Sequence, residues 1–597
     1  MYFCNESFLT HCKIKMNEKT AFKDKTGLFV AFVLLISSFL FFLIVVPYHI
    51  YFKEQIQLFT FDSTYIFSYF SKPGGLACLA GDFLTQFFYL KGGGAVIISL
   101  LFVLKWLLIV GILNSFGLKQ MAPLWALLPV IAEWVVISEI LFSIAMSVSF
   151  ALVLLAILFY TKIQNKTVSI GYGVLFVPVL YILTGSAMFL FPVAILIYDI
   201  HKGKRQYLYW LTILVFAAII PYLLRSYYLI TINQAYFYPY SGFKQKLSSF
   251  ALVLILFFAS IKVISKFRTT TLSFSLAAIF ILITGIVSIY KTTNFQREKI
   301  LGMATEAYFQ NWDKVLKISE KSKLENSIAT YYTNLALSKK SQLSDRMLEF
   351  YQPFTSGMFL PVNPESNWFI IFFSSDVFFH IGDMNMAQHS AMLSMIFSPY
   401  QRSSRLTQRL AEINIMTEDI PAAMKYVRML EASLFHSKKA VKLKDMALAN
   451  NSDNFPLLQK KRSETHTIDT LRHSHNHLLS LELLVKTNPE NQEALDYLLS
   501  FHLMNKNIPE FFNIYNAYCK GRTNYVPKLY AEALLVYFAA FNIQPETIME
   551  DSIDLKYIRS FNEYTQLFEN SNGDLKLLQK RFPDTYWIFY HFATLKT

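Results

Sequence analysis

Nine apolar runs fill the first half of this 597-residue chain, and they dictate the solvent in which that half folds. They lie at 28–46, 94–113, 122–138, 140–160, 170–184, 186–200, 207–224, 248–265 and 272–290. Several are near the ~20 residues that a helix needs to cross a ~30 Å hydrocarbon core. A backbone in lipid must satisfy its own hydrogen bonds, so such runs are helices. The runs at 122–138, 170–184 and 186–200 are short and read as tilted, re-entrant or buried among the others. The expected fold class is all-α. A transmembrane domain of about 9 spans covers 28–290, between a cytoplasmic tail at 1–27 and a soluble helical domain at 297–597.

Charge sets the orientation. Residues 1–290 hold 21 Lys and Arg against 9 Asp and Glu, a net of +12; the remainder holds 34 against 32, a net of +2. The basic excess therefore belongs to the membrane half, which argues for charge-biased topology and against nucleic acid as a partner. With the N-terminus inside, the inner segments carry Lys13, Lys15, Lys19, Lys23 and Lys25, then Lys119, then Lys162 and Lys166. Lys202, Lys204 and Arg205 follow, then Lys266 and Arg268. The short outer turns near 138–140 and 184–186 carry no basic residue. An odd number of spans then puts 297–597 outside, in the periplasm of a two-membrane bacterium whose cytoplasmic membrane holds the chain.

Residues 16–27 read as a complete cationic start, so Met16 competes with Met1 as the initiator. The run that follows is too long for a signal-peptide core and reads as a retained anchor. Of Cys4, Cys12, Cys78 and Cys519, only the last lies in the soluble half, which leaves that half no internal disulfide.

The loop at 47–93 is long and not simply polar. After Lys72-Pro73-Gly74-Gly75, the residues Leu76, Leu79, Phe83, Leu84, Phe87 and Phe88 recur at spacings of 3 and 4. That pattern predicts a helix with one apolar face, lying on the outer membrane surface.

In the soluble half the 3.6-residue period dominates. Gly382-Asp383, Ala387 and Pro399 occupy the turn, small-residue and helix-ending positions of a tetratricopeptide unit, and Ala423 falls 36 residues after Ala387. Turns also read at Asn311, Leu343-Ser344-Asp345, Thr417-Glu418-Asp419 and Asn505-Lys506-Asn507. The segment resembles a degenerate tetratricopeptide-like solenoid, and the alternative is a non-repetitive helical domain. The repeat reading implies a concave face that binds a protein or glycan partner. Residues 450–478 read as a polar insertion containing His473, His475 and His477, a run that binds metal only loosely.

Five of the nine acids of the membrane half, Glu54, Asp62, Asp82, Glu133 and Glu139, fall at or near the outer face. An acid inside a span marks a function or a partner, and Lys105 is the partner expected for Glu133; the favoured reading of the two is a structural, helix-packing ion pair. The layout resembles GT-C membrane glycosyltransferases, which combine many spans, a long first outer loop with a surface helix and a carboxylate there. That resemblance implies transfer of a sugar from a polyprenyl-phosphate donor at the outer leaflet, with membrane lipid as partner and a divalent metal ion as the possible cofactor. Asp62, with Glu54, would be the catalytic carboxylate. Arg225, Lys244 and Lys246 would hold the lipid phosphate, with Tyr238 and Tyr240 stacking on sugar or lipid. The loop has no Asp-x-Asp or Glu-x-Asp pair, and Asp62 also reads as a solvated or helix-capping residue. The competing class is a non-catalytic scaffold. The wording of Phe61 through Phe88 resembles that of uncharacterised bacterial membrane proteins grouped as a domain of unknown function, a resemblance that covers most of the chain and implies no activity. Phosphate-binding glycine loops, Gly-x-Ser-x-Gly elbows and His-Glu-x-x-His motifs are absent.

Overall fold

The computed structural model describes residues 25–240, 243–261, 270–363, 365–449, 456–465, 476–521, 525–543 and 553–594. Lys13 to Lys23, Lys266, Arg268, His473 and His475 lie outside them, as does most of the polar insertion. The regular secondary structure of the described residues is helical, with no β-strand. The chain divides into two compact units, one of residues 1–295 with 432–435 and one of residues 296–431 with 436–597.

All nine apolar runs of the first unit contain helix. Six helices are long and apolar enough to cross a membrane: α1 (Lys25–Val45), α5 (Gly93–Ser115), α8 (Ile144–Lys162), the 36-residue stretch Lys166–His201, α11 (Tyr207–Tyr228) and α14 (Thr271–Thr292). The stretch Lys166–His201 joins two of the runs as α9 (Lys166–Thr184) and α10 (Leu190–His201). Two others are short, appearing as α6 (Ala122–Trp125) with α7 (Leu127–Ile137), and as α13 (Leu247–Ser260). A ~30 Å core needs ~20 helical residues, so length separates these from the six. The chain is a membrane protein by this measure.

The break between α9 and α10 falls at Gly185, whose φ of +64° is costly for any residue with a Cβ. A Cβ there would also lie 2.5 Å from the Tyr238 carbonyl oxygen. Ser186 N–H donates to that same carbonyl at 2.8 Å. The break is thus held by α12 (Ile232–Phe237) and the residues after it.

The first loop differs from a helix resting on a surface. It folds as α2 (Pro47–Gln55), α3 (Ser63–Ser68) and α4 (Gly75–Thr85), and α4 packs against α8 and α9. Its inward face is small: Gly75, Ala77, Cys78, Gly81 and Thr85 are buried. A Cβ on Gly81 would come within 2.3 Å of Ala145 N, so glycine is what lets α4 lie against α8. Leu76 and Phe83, from the expected apolar face, are exposed instead. Membrane helices gain little by hiding large apolar side chains from lipid and pack closely through small ones. The expected apolar face is thus split, with Leu76 and Phe83 exposed and Phe88 buried, and small residues make the contact with α8.

The second unit is built of helix pairs. α15 (Phe295–Tyr308) turns into α16 (Trp312–Ser322), and α17 (Ser327–Lys339) into α18 (Leu343–Arg346). After α19 (Trp368–Ile371), α20 (Ser375–Ile381) turns into α21 (Met384–Phe397) and α22 (Ser404–Met416) into α23 (Ile420–Glu431). Following α24 (Ser437–Leu448), α25 (Pro456–Glu464) and α26 (His477–Thr487), α27 (Gln492–Met504) turns into α28 (Ile508–Tyr518). Each of the five turns contains one residue in the left-handed region: Gln310, Ser341, Gly382, Glu418 and Lys506. That geometry satisfies the last carbonyls of the first helix and reverses the chain. Asp383 and Asn507 then cap the helices that follow, accepting from Met386 N at 3.0 Å and Glu510 N at 3.3 Å. Ala387 and Ala423 are fully buried.

Candidate functional site

Polar side chains gather in the first loop of the membrane unit although its surroundings are apolar. Lys53 and Glu54, both buried, lie on α2 with His49 and Gln55, and Gln57, Thr60 and Gln86 are buried in the same loop. The Lys53 ammonium donates to the carbonyls of Glu139 at 2.9 Å and Phe142 at 2.6 Å. This ties α2 to the turn before α8. Burial pushes Lys53 down to about 7, against the attraction of Glu139. Asp82 on α4 accepts from the Tyr69 hydroxyl at 2.7 Å, and the Tyr65 and Tyr69 hydroxyls are 2.6 Å apart. Among the described residues Asp82 has no cationic partner, and burial pushes its carboxyl up to about 7, with the Tyr69 hydrogen bond opposing.

Asp62 does something else. It is the N-cap of α3, exposed to solvent, accepting from Tyr65 N at 3.3 Å and from the Thr64 hydroxyl. Glu54 is buried, and its charge pushes up the neighbouring Tyr89 hydroxyl after burial has done so. Lys105 and Glu133 meet as expected, 0% and 2% exposed, and Lys105 also donates to Ser147 Oγ at 2.5 Å. Its ammonium sits 5.1 Å from the Phe102 ring centre.

Each of the three candidate phosphate-binding residues has a contact of its own. Lys244 pairs with Glu139 near the surface. Lys246 lies over the rings of Phe237 and Tyr240, at 4.7 and 5.5 Å. Arg225 lies 4.6 Å from the Tyr222 ring centre on its own helix. Tyr240 is buried, with its hydroxyl 3.4 Å from the Met146 carbonyl. Tyr238 receives the Cys78 thiol at 3.9 Å and faces Lys72. These two rings pack the loop onto the helices below it. Lys53 and Gln86 escaped the sequence reading, and Asp82 entered it only as one of five outer-face acids, because an amphipathic pattern assigns polar residues to water. The available signal was their position in a loop that is otherwise apolar.

In the second unit, His477 stacks on Phe359 with ring centres 4.6 Å apart. Among the described residues no three His, Cys, Asp or Glu side chains are grouped to hold a metal.

No curated protein and no solved structure matches this chain. The layout resemblance to GT-C glycosyltransferases gains no support from these comparisons. A family model does match, over residues 23–593, and by that match the chain belongs to the family described as a family of unknown function (DUF6057).

Proposed function

We propose that this chain is a nine-span protein of a bacterial cytoplasmic membrane that works as a non-catalytic scaffold. Its N-terminus is cytoplasmic, and residues 297–597 form a tetratricopeptide-like array outside, presented to a protein or glycan of the envelope. The nine helical runs and the charge alternation support the topology. Five helix pairs with left-handed turns support the array. The observation that carries the scaffold reading is where the charges of the membrane unit are used. Lys105 is held by Glu133, Lys244 by Glu139, and Asp62 caps a helix.

Complementation of a deletion strain tests it. Asp62→Asn and Glu54→Gln should complement fully, while removal of 297–597 should abolish function. Alkaline-phosphatase fusions should be silent at 205 and active at 290 and 597. A fusion active at 205 and silent at 597 overturns the orientation.

A second reading is GT-C-like transfer of a sugar from a polyprenyl phosphate at the outer leaflet, with Glu54 and Asp62 as the acids and Arg225, Lys244 and Lys246 at the phosphate. A divalent metal ion would serve if the acids bind one. What favours this reading is the burial of Glu54 in the first loop, where an acid is costly to keep. It requires that Glu54→Gln express, insert and fail to complement, and that the purified protein carry polyprenyl phosphate.

A further inference from the structure

Basic residues outnumber acids at one end of the membrane unit, and the fold brings them onto neighbouring turns. Lys162 ends α8 and Lys166 opens α9. Lys202, Lys204 and Arg205 lie in the turn between α10 and α11. The Tyr198 hydroxyl on α10 donates to the Thr161 carbonyl on α8 at 3.1 Å, so the two turns lie side by side. The end of α5 joins them: Ser115 Oγ donates to Thr161 Oγ1 at 3.1 Å, and the Phe116 ring centre is 5.4 Å from that of Tyr198.

One acid, Asp199, stands between Glu139 and Glu298 in the chain. It is fully buried and already engaged, by Lys204 at 3.0 Å and by the Tyr160 hydroxyl at 2.8 Å. Lys204 is thereby held inward, 5.6 Å from the Tyr160 ring centre. Lys162, Lys166, Lys202 and Arg205 remain exposed. Among the described residues no ion pair neutralises any of the four. Large apolar side chains continue from these cations along the helices, with Val168 and Leu175 exposed on α9 and Tyr207, Leu208 and Leu211 exposed on α11.

We propose that the turns after α8 and α10 form a docking surface for the headgroups of anionic phospholipids, whose acyl chains lie along α9 and α11. Lys and Arg donate charge-assisted hydrogen bonds to phosphate oxygens, and unneutralised cations at span ends draw anionic headgroups. A zwitterionic headgroup brings its own ammonium into the same field and gains less. A free phosphate would answer the cations and leave the apolar side chains beside them uncovered, so the observations favour an amphiphile. The surface is separate from Arg225, which lies in the last turn of α11 whereas Arg205 precedes its first. Nor does it rest on the scaffold reading or on orientation, because both leaflets bring headgroups to span ends; lipid binding can fail while complementation and fusion results stand, and the reverse.

The test uses the delipidated full-length protein in dodecyl maltoside, titrated with dioleoyl phosphatidylglycerol, dioleoyl phosphatidylcholine and inorganic phosphate. Native mass spectrometry reads bound lipid, and the thermal midpoint of unfolding reads protection. Phosphatidylglycerol should bind and raise the midpoint, phosphatidylcholine should bind at least about tenfold more weakly, and inorganic phosphate should leave the midpoint unchanged. Combining Lys162→Gln, Lys166→Gln and Arg205→Gln should weaken phosphatidylglycerol by at least about tenfold, since each cation near a lipid surface contributes about fivefold. Removing as many charges elsewhere, with Arg225→Gln, Lys244→Gln and Lys246→Gln, should cost less than about threefold. Equal binding of the two lipids, equal protection by inorganic phosphate, full affinity in the first triple variant, or equal loss in both triples would each overturn the proposal. If the first triple is not recovered as a monodisperse protein, Lys166→Gln and Arg205→Gln decide singly, and unchanged affinity in both overturns the surface.

Discussion

The Arg405 guanidinium lies 2.6 Å from the Asp376 carboxylate with both side chains buried, and this contact joins α22 to α20 in the middle of the second unit. The same guanidinium donates to the Ala304 carbonyl on α15 and the Tyr332 hydroxyl on α17, both at 3.1 Å. Arg409 supplies a second guanidinium to Asp376 at 3.0 Å. One side chain thus links four helices, one from each of four helix pairs. Burial opposes ionisation of Asp376, but the two guanidinium groups outweigh it and hold the carboxyl below its ordinary range.

Breaking this pair from one side should be costly. Arg405→Met and Asp376→Leu should each destabilise the second unit by about 3–5 kcal/mol, because the surviving charge is left buried. The double substitution should recover part of that loss. Hydrogen exchange of α15, α17, α20 and α22 in the intact protein checks it; additive losses would contradict a direct coupling.

Glu532 on α29 (Lys528–Ala540) is a buried acid of opposite behaviour. Burial pushes it up to about 7, against Lys528 and the hydrogen bond from Tyr586 N at 2.6 Å. Its folded pKa is raised, so its contribution to stability is greatest below the ordinary carboxylate pKa and fades as pH rises toward 7. The slope should approach about 1.4 kcal/mol per pH unit in that window. Glu532→Gln should therefore gain stability over the wild type between about pH 5 and 8. Thermal midpoints across that range measure it, and a constant difference would rule out the ionisation as the cause.

Within the membrane unit, Lys105→Met should impair insertion or yield of folded protein more than Lys105→Met combined with Glu133→Leu. A lone acid in lipid costs more than an apolar pair, about 2.5–3.5 kcal/mol on insertion scales. Fluorescence size-exclusion of detergent extracts reads the monodisperse fraction of each variant.

Asp62 separates capping from chemistry. Asp62→Ser keeps a capping oxygen, whereas Asp62→Ala should cost about 1 kcal/mol and loosen α3. If Ser complements in cells and Ala is only partly impaired, the cap suffices. Loss of function with Ser and with Asn alike would restore Asp62 as a reacting group.

Much of the architecture was legible without coordinates. Apolar length locates helices in lipid because no other backbone conformation satisfies itself there, and this placed α1, α5, α8, α11 and α14 closely. The Gly382-Asp383 turn and the buried Ala387 and Ala423 followed from spacing, since both depend on residues close in sequence. The pairing of Lys105 with Glu133 was readable because few charges were available to meet inside the unit. Tertiary structure decided the rest. Which face of α4 turns inward depends on Gly81 meeting Ala145, a contact across 64 positions that no local period encodes. That Asp62 is exposed while Asp82 is hydrogen-bonded depends on where α3 starts and on Tyr69 reaching back to α4. Arg405 meets Ala304, Tyr332 and Asp376 only where four helix pairs come together, so a sequence window around α22 shows an ordinary arginine. Apolar periodicity acts between neighbours along the chain, whereas the energy of a buried charge is set by whatever the fold brings to within 3 Å of it.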